Sequence, residues 1–228
     1  MLKIHRTPIE SSLKKNSINK RFFIKVNTVL KSYVINYHLD WRSDMAIFRG
    51  FIAVEIKTTP EIIAFEKELT KTNADIKLVE PENIHITLKF LGDTDEQKID
   101  AIEQAIKESV EGIPPFSITL KGTGVFPNQH YMKVLWIGMT ETGSLETIAR
   151  ILDEKLSALG FKKENREFSP HLTIGRIRTA RNKEQLIKII GQYTAKEFMT
   201  QQVETITLKK SDLTPKGPLY TTLRTVHL

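Results

Sequence analysis

Two short segments of this 228-residue sequence carry side chains suited to proton transfer. His85 and Thr87 lie two residues apart in Ile84-His85-Ile86-Thr87-Leu88, and His171 and Thr173 do so in His171-Leu172-Thr173-Ile174. Side chains alternate between the two faces of a strand. We therefore expect each histidine to share one polar face with its threonine, while the aliphatic neighbours pack in the core.

Two imidazoles suit a reaction in which one proton is accepted and another is donated. The ordinary pKa of histidine is about 6.5, so near neutral pH one ring can be neutral and the other protonated. Opening a cyclic phosphodiester needs both, a base for the attacking water and an acid for the leaving oxygen. We expect the hydroxyls of Thr87 and Thr173 to hold the non-bridging phosphate oxygens, and Arg176 or Lys89 to neutralise the charge that builds on them.

The two motifs belong to a longer internal repeat. The tetrapeptide Ile-Thr-Leu-Lys at 118–121 recurs at 206–209, an offset of 88 that Pro127 and Pro215 share, and the two histidines are 86 residues apart. Each half therefore reads as a His-x-Thr strand, a helix, an Ile-Thr-Leu-Lys strand, a loop with proline and a closing strand. This pattern predicts an α+β fold of two lobes related by an approximate twofold, with mostly antiparallel sheets flanking a central cleft and helices on the outside.

Apolar periodicity and turn residues place the elements that must position these motifs. Pro60 opens the first helix, and Gly160 is the expected stop of the third. The predicted helices span about 60–71, 95–110, 144–159 and 182–193, and the predicted strands span 46–56, 84–90, 116–121, 131–137, 171–177, 203–209 and 219–227.

The composition is that of an ordinary globular protein, with 40% hydrophobic and 27% charged residues. The chain has no cysteine, which rules out disulfides, thiolate nucleophiles and thiolate metal sites and favours a reducing, cytoplasmic location. No apolar run approaches the roughly 20 residues that a membrane-spanning helix needs, so we expect no membrane partner.

The composition changes near residue 45. Residues 1–44 hold nine Lys/Arg and three Asp/Glu, a net charge of +6, whereas 45–228 is close to neutral at +1. We expect 45–228 to be the bilobal domain, in which any binding of RNA must use a local basic patch because the net charge is too small for a broad positive field. We expect 1–44 to be a basic extension, poorly ordered or upstream of a true start at Met45; a basic amphipathic helix for a membrane surface or partner is the alternative.

Other chemistries fit the residues less well. Two histidines are too few for a catalytic zinc, and no carboxylate repeats beside them. Ser169 lacks the Gly-x-Ser-x-Gly turn of a serine nucleophile. A single His-x-Thr is more often structural, but two copies at the repeat offset favour a functional pair. The remaining histidines, His5, His38, His130 and His227, have no repeated counterpart.

Residues 46–228 resemble the two-histidine phosphoesterase superfamily, and within it the bacterial and archaeal RNA 2′,3′-cyclic phosphodiesterases, historically called 2′-5′ RNA ligases. The resemblance rests on five landmarks: Phe51-Ile52-Ala53-Val54, Glu82-Asn83-Ile84-His85-Ile86-Thr87-Leu88-Lys89-Phe90-Leu91-Gly92, Gly124-Val125-Phe126-Pro127-Asn128, His171-Leu172-Thr173-Ile174-Gly175-Arg176 and Leu213-Thr214-Pro215-Lys216-Gly217-Pro218-Leu219-Tyr220. The family does not explain residues 1–44.

The resemblance implies hydrolysis of an RNA 2′,3′-cyclic phosphate end to a 2′-phosphate, without metal or cofactor, and a weak reverse joining of 2′,5′ linkages. It implies that His85 donates a proton to the leaving oxygen and that His171 accepts one from water. Phe126 and Tyr220 would stack on a base, or else pack only within their loops. RNA ends, tRNA fragments among them, would be the partners, with no obligate protein partner.

Two alternatives stay open from the sequence. The first is a related phosphodiesterase for a small cyclic nucleotide, ADP-ribose 1″,2″-cyclic phosphate or a 2′,5′-oligonucleotide, because the motifs specify the phosphate chemistry better than the nucleoside. The second is a non-catalytic module that binds RNA ends.

Overall fold

The computed structural model describes residues 46–141, 143–215 and 217–228. The expectations for 1–44, including the basic helix and the start at Met45, lie outside these residues. The elements, numbered along the described chain, are β1 Ile47–Glu55, α1 Pro60–Lys71, β2 Ile76–Leu78, β3 His85–Asp95, α2 Ile99–Val110, β4 Phe116–Pro127, β5 Met132–Thr140, α3 Ser144–Ala158, β6 Leu172–Ile177, α4 Lys183–Gln192, β7 Glu197–Val203, β8 Thr205–Thr214 and β9 Gly217–His227.

The strands form two sheets whose pairs are all antiparallel in the described chain. One sheet has the order β3-β1-β8-β9, and the other has the order β2-β6-β5-β4-β7. The predicted α+β class with antiparallel sheets is therefore confirmed. Each His-x-Thr strand pairs with a central strand, β3 with β1 and β6 with β5.

The two sequence halves exchange strands. The Ile-Thr-Leu-Lys strand of the second half, β8, completes the sheet that holds His85, whereas that of the first half, β4, completes the sheet that holds His171. The triplets β3-β1-β8 and β6-β5-β4 are thus equivalent, and each contains strands from both halves. The repeat therefore gives an interlocked pair of sheets and not two lobes that are each continuous in sequence.

Each sheet carries one pair of helices. Helices α2 and α3 contact each other and lie against β9 and β3, while α1 and α4 contact each other and lie against β7 and β4. Helix α1 shows why these segments are helical: Pro60 occupies its first turn, Thr59 caps it, and Ile62, Phe65 and Leu69 form a fully buried stripe. No helix in the described residues is both long enough and apolar enough to cross a membrane.

Both motif strands contain a bulge at the same place. The register between β1 and β3 passes from Thr87 to Lys89 and skips Leu88, and the register between β5 and β6 passes from Thr173 to Gly175 and skips Ile174. Leu88 and Ile174 each lie three residues after a histidine. A bulge redirects the side chains that follow it. The repeat therefore extends beyond the motifs to the backbone irregularity that shapes both strands.

The predicted elements are present, with differences at their ends. Helices α1 and α3 match within a residue, and Gly160 has the left-handed φ of +87° expected after a helix. Strands β3 and β4 run several residues further than predicted because their pairing with β1 and β5 continues beyond their apolar cores. Strands β2 and β7 were not predicted. Both are edge strands, in which few alternating positions need to be apolar.

Candidate active site

The two histidine rings are held in the same way. Nδ1 of His85 donates to the carbonyl oxygen of Asn83 at 2.7 Å, and Nδ1 of His171 donates to that of Ser169 at 2.8 Å. A carbonyl oxygen only accepts, so each Nδ1 carries a proton. The other ring nitrogen, Nε2, is then the atom that can accept a proton while the ring is neutral and donate one while it is protonated.

The local sequence fixes both carbonyls. Asn83 ends a short 3-10 turn at Pro81–Asn83, and its side-chain Nδ2 donates to the carbonyl oxygen of Pro218 at 3.0 Å, which ties the first motif to β9. Pro170 follows Ser169 and restricts the backbone just before His171. Asn83 and Ser169 are 86 residues apart, as are the histidines. This shared spacing could have identified Asn83 and Ser169 from the sequence as equivalent positions of the repeat.

The motifs face one cleft of about 990 Å³. His85, Thr87, His171 and Thr173 all line it, whereas Ile86, Leu172 and Ile174 are fully buried behind them. The alternation predicted from the sequence therefore holds on both strands. The remaining residues singled out in the sequence, Lys89, Phe126, Arg176 and Tyr220, also line the same cleft.

Each histidine packs against an aromatic ring edge to face. The ring of Tyr220 lies 5.3 Å from that of His85 at 86°, and the ring of Phe126 lies 5.0 Å from that of His171 at 84°. Phe51, which the sequence did not single out for a role in the site, also contacts His85 with ring centroids 4.8 Å apart. These rings restrict the rotation of the imidazoles. Phe126 and Tyr220 thus each pack against a histidine of the cleft, which is a more specific contact than general loop packing.

The two histidines have different surroundings. Burial lowers the pKa of His85 below its ordinary value, and the nearby Lys209 lowers it further, while the hydrogen bond to Asn83 and the charge of Glu55 oppose the shift. Glu55 is the cross-strand neighbour of His85 and forms an ion pair with Lys209. The neutral form of His85 is thus favoured in the free protein. A phosphate anion beside the ring would favour its protonated form.

Arg176 is the cation best placed to meet an anion in the cleft. It is exposed and lines the cleft, and its guanidinium group makes no hydrogen bond or ion pair with any other residue the structure describes. Its charge also acts on Tyr220: burial raises the pKa of that phenol, and Arg176 partly counteracts the shift. Arg176 on β6 therefore lies near the ring that packs on His85, although it follows the motif of His171.

Lys89 is placed differently from what the sequence suggested. Only 2% of its side chain is exposed, and its ammonium group donates to Asp153 at 2.7 Å, to the carbonyl oxygen of Lys162 at 2.7 Å and to Glu164 at 3.2 Å. An ammonium group has three protons. Since all three are engaged, this arrangement does not support the expectation that Lys89 neutralises the substrate.

The cleft as a whole is not strongly basic. Its described lining contains six Lys/Arg and six Asp/Glu: Lys77, Lys89, Arg150, Lys163, Arg166, Arg176 and Glu80, Glu146, Asp153, Glu154, Glu164, Glu167. This balance gives the cleft no broad positive charge, and the local basic patch expected from the sequence stays a prediction. Among the described residues, no group of three or more His, Cys, Asp or Glu is arranged to hold a metal ion.

Comparison with known proteins gives consistent matches. A family model described as the 2′-5′ RNA ligase superfamily matches residues 49–212. A Methanothermobacter thermautotrophicus protein named RNA 2′,3′-cyclic phosphodiesterase is 37% identical over 182 residues, covering 79% of this chain and 98% of that protein. A Methanocaldococcus jannaschii protein of the same name is 43% identical over 178 residues, covering 77% and 98%.

Solved structures agree on the fold. The protein TT0787 of Thermus thermophilus superposes with a TM-score of 0.62 at 28% identity, over 79% of this chain and 97% of that one. Escherichia coli LigT complexed with 3′-AMP superposes with a TM-score of 0.63 at 23% identity, over 80% and 99%. At that lower identity the likeness to LigT concerns the fold alone.

Proposed function

The chain belongs to the 2′-5′ RNA ligase superfamily, and from this premise we propose that it hydrolyses RNA 2′,3′-cyclic phosphate ends to 2′-phosphates with His85 and His171 as its acid and base. One observation carries the proposal. In each ring a carbonyl oxygen binds Nδ1, so that two equivalent Nε2 atoms are the reactive atoms of one cleft. The names of the relatives supply the substrate class.

The reaction follows from this arrangement. Nε2 of His171 accepts a proton from water, and the water oxygen forms a bond to phosphorus. The bond between phosphorus and the 3′ oxygen breaks, and Nε2 of protonated His85 donates its proton to that oxygen. The product carries a 2′-phosphate and a 3′-hydroxyl, and proton exchange with solvent resets both rings. The assignment of acid and base follows the family resemblance. The steps use only side chains of this chain and need no metal.

Three groups are proposed to bind the phosphate. The hydroxyls of Thr87 and Thr173 lie on the histidine faces of their strands and donate to the non-bridging oxygens. Arg176 supplies the positive charge, since it is the exposed cation on a motif strand and its described surroundings contain no ion-pair partner. Charge-assisted hydrogen bonds of this kind strengthen as negative charge accumulates in the transition state.

Phe126 and Tyr220 are proposed to contact the terminal nucleotide as well as their histidines, because both line the cleft beside the reacting groups. The near balance of charge in the cleft favours recognition of the RNA end over recognition of a long strand. We also propose that its substrates include the ends of tRNA fragments and that the protein is cytoplasmic. The absence of cysteine supports a reducing compartment.

The test is hydrolysis of a short RNA ending in 2′,3′-cyclic phosphate, in the presence of EDTA. Wild type should form the 2′-phosphate, and His85→Ala and His171→Ala should each lower kcat by about 10²- to 10⁴-fold, the usual contribution of one acid or base. His130→Ala, in the loop between β4 and β5, is the matched control and should retain full activity. Failure of wild type to react, or loss of its activity in EDTA, would contradict the proposal.

Arg176 can be tested in the same assay. Arg176→Met should lower kcat/KM by about 10- to 100-fold, the loss of the roughly 1.5–3 kcal/mol that one hydrogen bond to a charged group contributes. Arg178→Met removes a cation two residues along the chain that does not line the cleft, so it should have little effect. Equal effects of the two substitutions would argue against a phosphate contact by Arg176.

A further inference from the structure

Lys89 joins the first motif strand to the chain segment that leads to the second histidine. It lies on β3 four residues after His85, and its ammonium group contacts Lys162 and Glu164, which precede His171 in the sequence. The third contact is Asp153 of α3. A single buried side chain thus connects β3, helix α3 and the loop at 162–170.

This contact fixes the loop near its start. Oδ1 of Asp153 accepts from Lys89 at 2.7 Å and from the backbone N–H of Glu164 at 3.0 Å. The carbonyl oxygen of Lys162 accepts from Lys89 as well. Burial raises the pKa of Asp153, but the hydrogen bonds from Lys89 and the N–H of Glu164 together outweigh it and bring the pKa below its ordinary value, so the carboxylate stays charged near neutral pH.

Beyond Glu164 the loop has few polar attachments. Residues 165–168 make no hydrogen bond or ion pair within the described chain, and the next one is formed by the carbonyl oxygen of Ser169, which binds Nδ1 of His171. The position of that carbonyl therefore depends on where the loop is held upstream, at the Lys89 contacts. Phe168, which packs partly buried against the core, is the other support.

The equivalent position in the other motif strand has no such group. Gly175 occupies in β6 the place of Lys89 in β3, one residue after the bulge. A Cβ atom there would lie 2.9 Å from Cδ1 of Ile76 and 3.1 Å from the carbonyl oxygen of Lys77, because β2 packs against this position. The lysine is thus an addition to one half of the repeat, and it acts on the histidine of the other half.

A contribution to the stability of the fold does not by itself explain why an ammonium group is buried at this position. Burying a charged network costs desolvation energy that its Coulombic attraction often only offsets, and apolar replacements of such networks are frequently neutral. Resting on the proposed function, we propose that Lys89 is a positioning residue: through Asp153 and the 162–164 segment it sets the Ser169 carbonyl and thereby the ring orientation of His171.

The test combines kinetics with the ring nitrogen signals of ¹⁵N-labelled full-length protein. Lys89→Met should lower kcat by about 10- to 100-fold, as expected when a reacting group is misplaced by about 1 Å. Neutral His171 should change from the Nδ1–H tautomer to a mixture, whereas His85 in the same spectrum should keep its tautomer. Lys155→Met is the matched control. Lys155 lies two residues after Asp153 and forms an ion pair with Glu108, so its replacement should change neither readout.

A second pair of variants changes the other partner of the same contact, Asp153 of α3. Asp153→Asn keeps an oxygen acceptor at Oδ1. It should therefore lose less activity than Asp153→Ala and retain a larger fraction of His171 in the Nδ1–H tautomer. Unchanged His171 signals in Lys89→Met would overturn the proposal, and so would equal changes at both histidines, which indicate a general loss of structure. The spectra need no substrate. An inactive wild type would therefore refute the proposed function and leave the positioning role to be decided by the spectra.

Discussion

Nδ1 of His85 donates to the carbonyl oxygen of Asn83 over 2.7 Å. This contact removes the ambiguity that every neutral imidazole has, because it selects the tautomer with its proton on Nδ1. The same contact exists at His171, so in both neutral rings Nε2 is the nitrogen that can accept a proton.

The first prediction concerns the tautomers directly. Above the titration range of both histidines, the ¹⁵N signals of His85 and His171 should be those of the Nδ1–H form, with a protonated Nδ1 and an unprotonated Nε2. His130 is exposed and its ring makes no hydrogen bond to the described residues, so it should show a mixture of the two tautomers. Nε2–H signals at either cleft histidine would contradict the geometry.

The second prediction concerns the titration of His85. Because burial lowers its pKa in the free protein, its NMR titration midpoint should lie below the ordinary value of about 6.5. Addition of 2′-AMP, which carries the phosphate of the product, should raise that midpoint, since a neighbouring anion favours imidazolium. A midpoint above 6.5 in the free protein would contradict the expected effect of burial.

The third prediction separates the acid from the base. A cyclic phosphate whose 3′ oxygen is replaced by sulfur releases a thiolate, which needs no proton from a general acid. With this substrate, His85→Ala should approach wild-type kcat, while His171→Ala should remain impaired by about 10²-fold or more. The reverse pattern would show that the two roles are exchanged.

The fourth prediction concerns the packing behind His171. A Cβ atom on Gly124 would lie 2.2 Å from Cζ2 of Trp136, whose ring packs on Phe126. Gly124→Ala should therefore lower the free energy of unfolding by about 1–3 kcal/mol, the usual cost of overpacking. Gly191→Ala, in a helix with open space around the new methyl group, should raise it by about 0.5–1 kcal/mol. Urea denaturation measures both, and equal effects would contradict the close packing.

The fifth prediction concerns a buried carboxyl group outside the cleft. Glu66 of α1 is 9% exposed, its Oε1 has no hydrogen-bond partner among the described residues, and burial raises its pKa to about 7. The folded state therefore binds more protons than the unfolded state between about pH 4.5 and 7, so stability should fall as pH rises through this range.

Glu66→Gln removes this titration. The variant should gain stability relative to wild type as pH rises from 5 to 8, by an amount on the order of 2–3 kcal/mol, since one pKa unit corresponds to about 1.4 kcal/mol. Chemical denaturation at several pH values measures the difference. A constant difference across that range would show that Glu66 does not titrate as its surroundings imply.

The sequence alone determined the chemistry and most of the elements. A histidine and a threonine two residues apart must share one face of a strand, so the polar faces of β3 and β6 followed from local geometry. Helices α1 and α3 followed from apolar stripes and terminal residues, which are also local. The offset between the two motifs indicated that the faces meet, because similar strands are expected at similar places in a repeated fold.

Only the tertiary structure decided which residues that are distant in the sequence come into contact. The exchange of β4 and β8 between the two sheets involves pairing that no local pattern encodes, since either strand has the same Ile-Thr-Leu-Lys sequence. Lys89 looked from the sequence like a cation for the phosphate, but the bulge at Leu88 and the approach of Asp153 give its ammonium group protein acceptors. Side-chain type and spacing fix which chemistry is available, whereas long-range packing decides which groups are free to perform it.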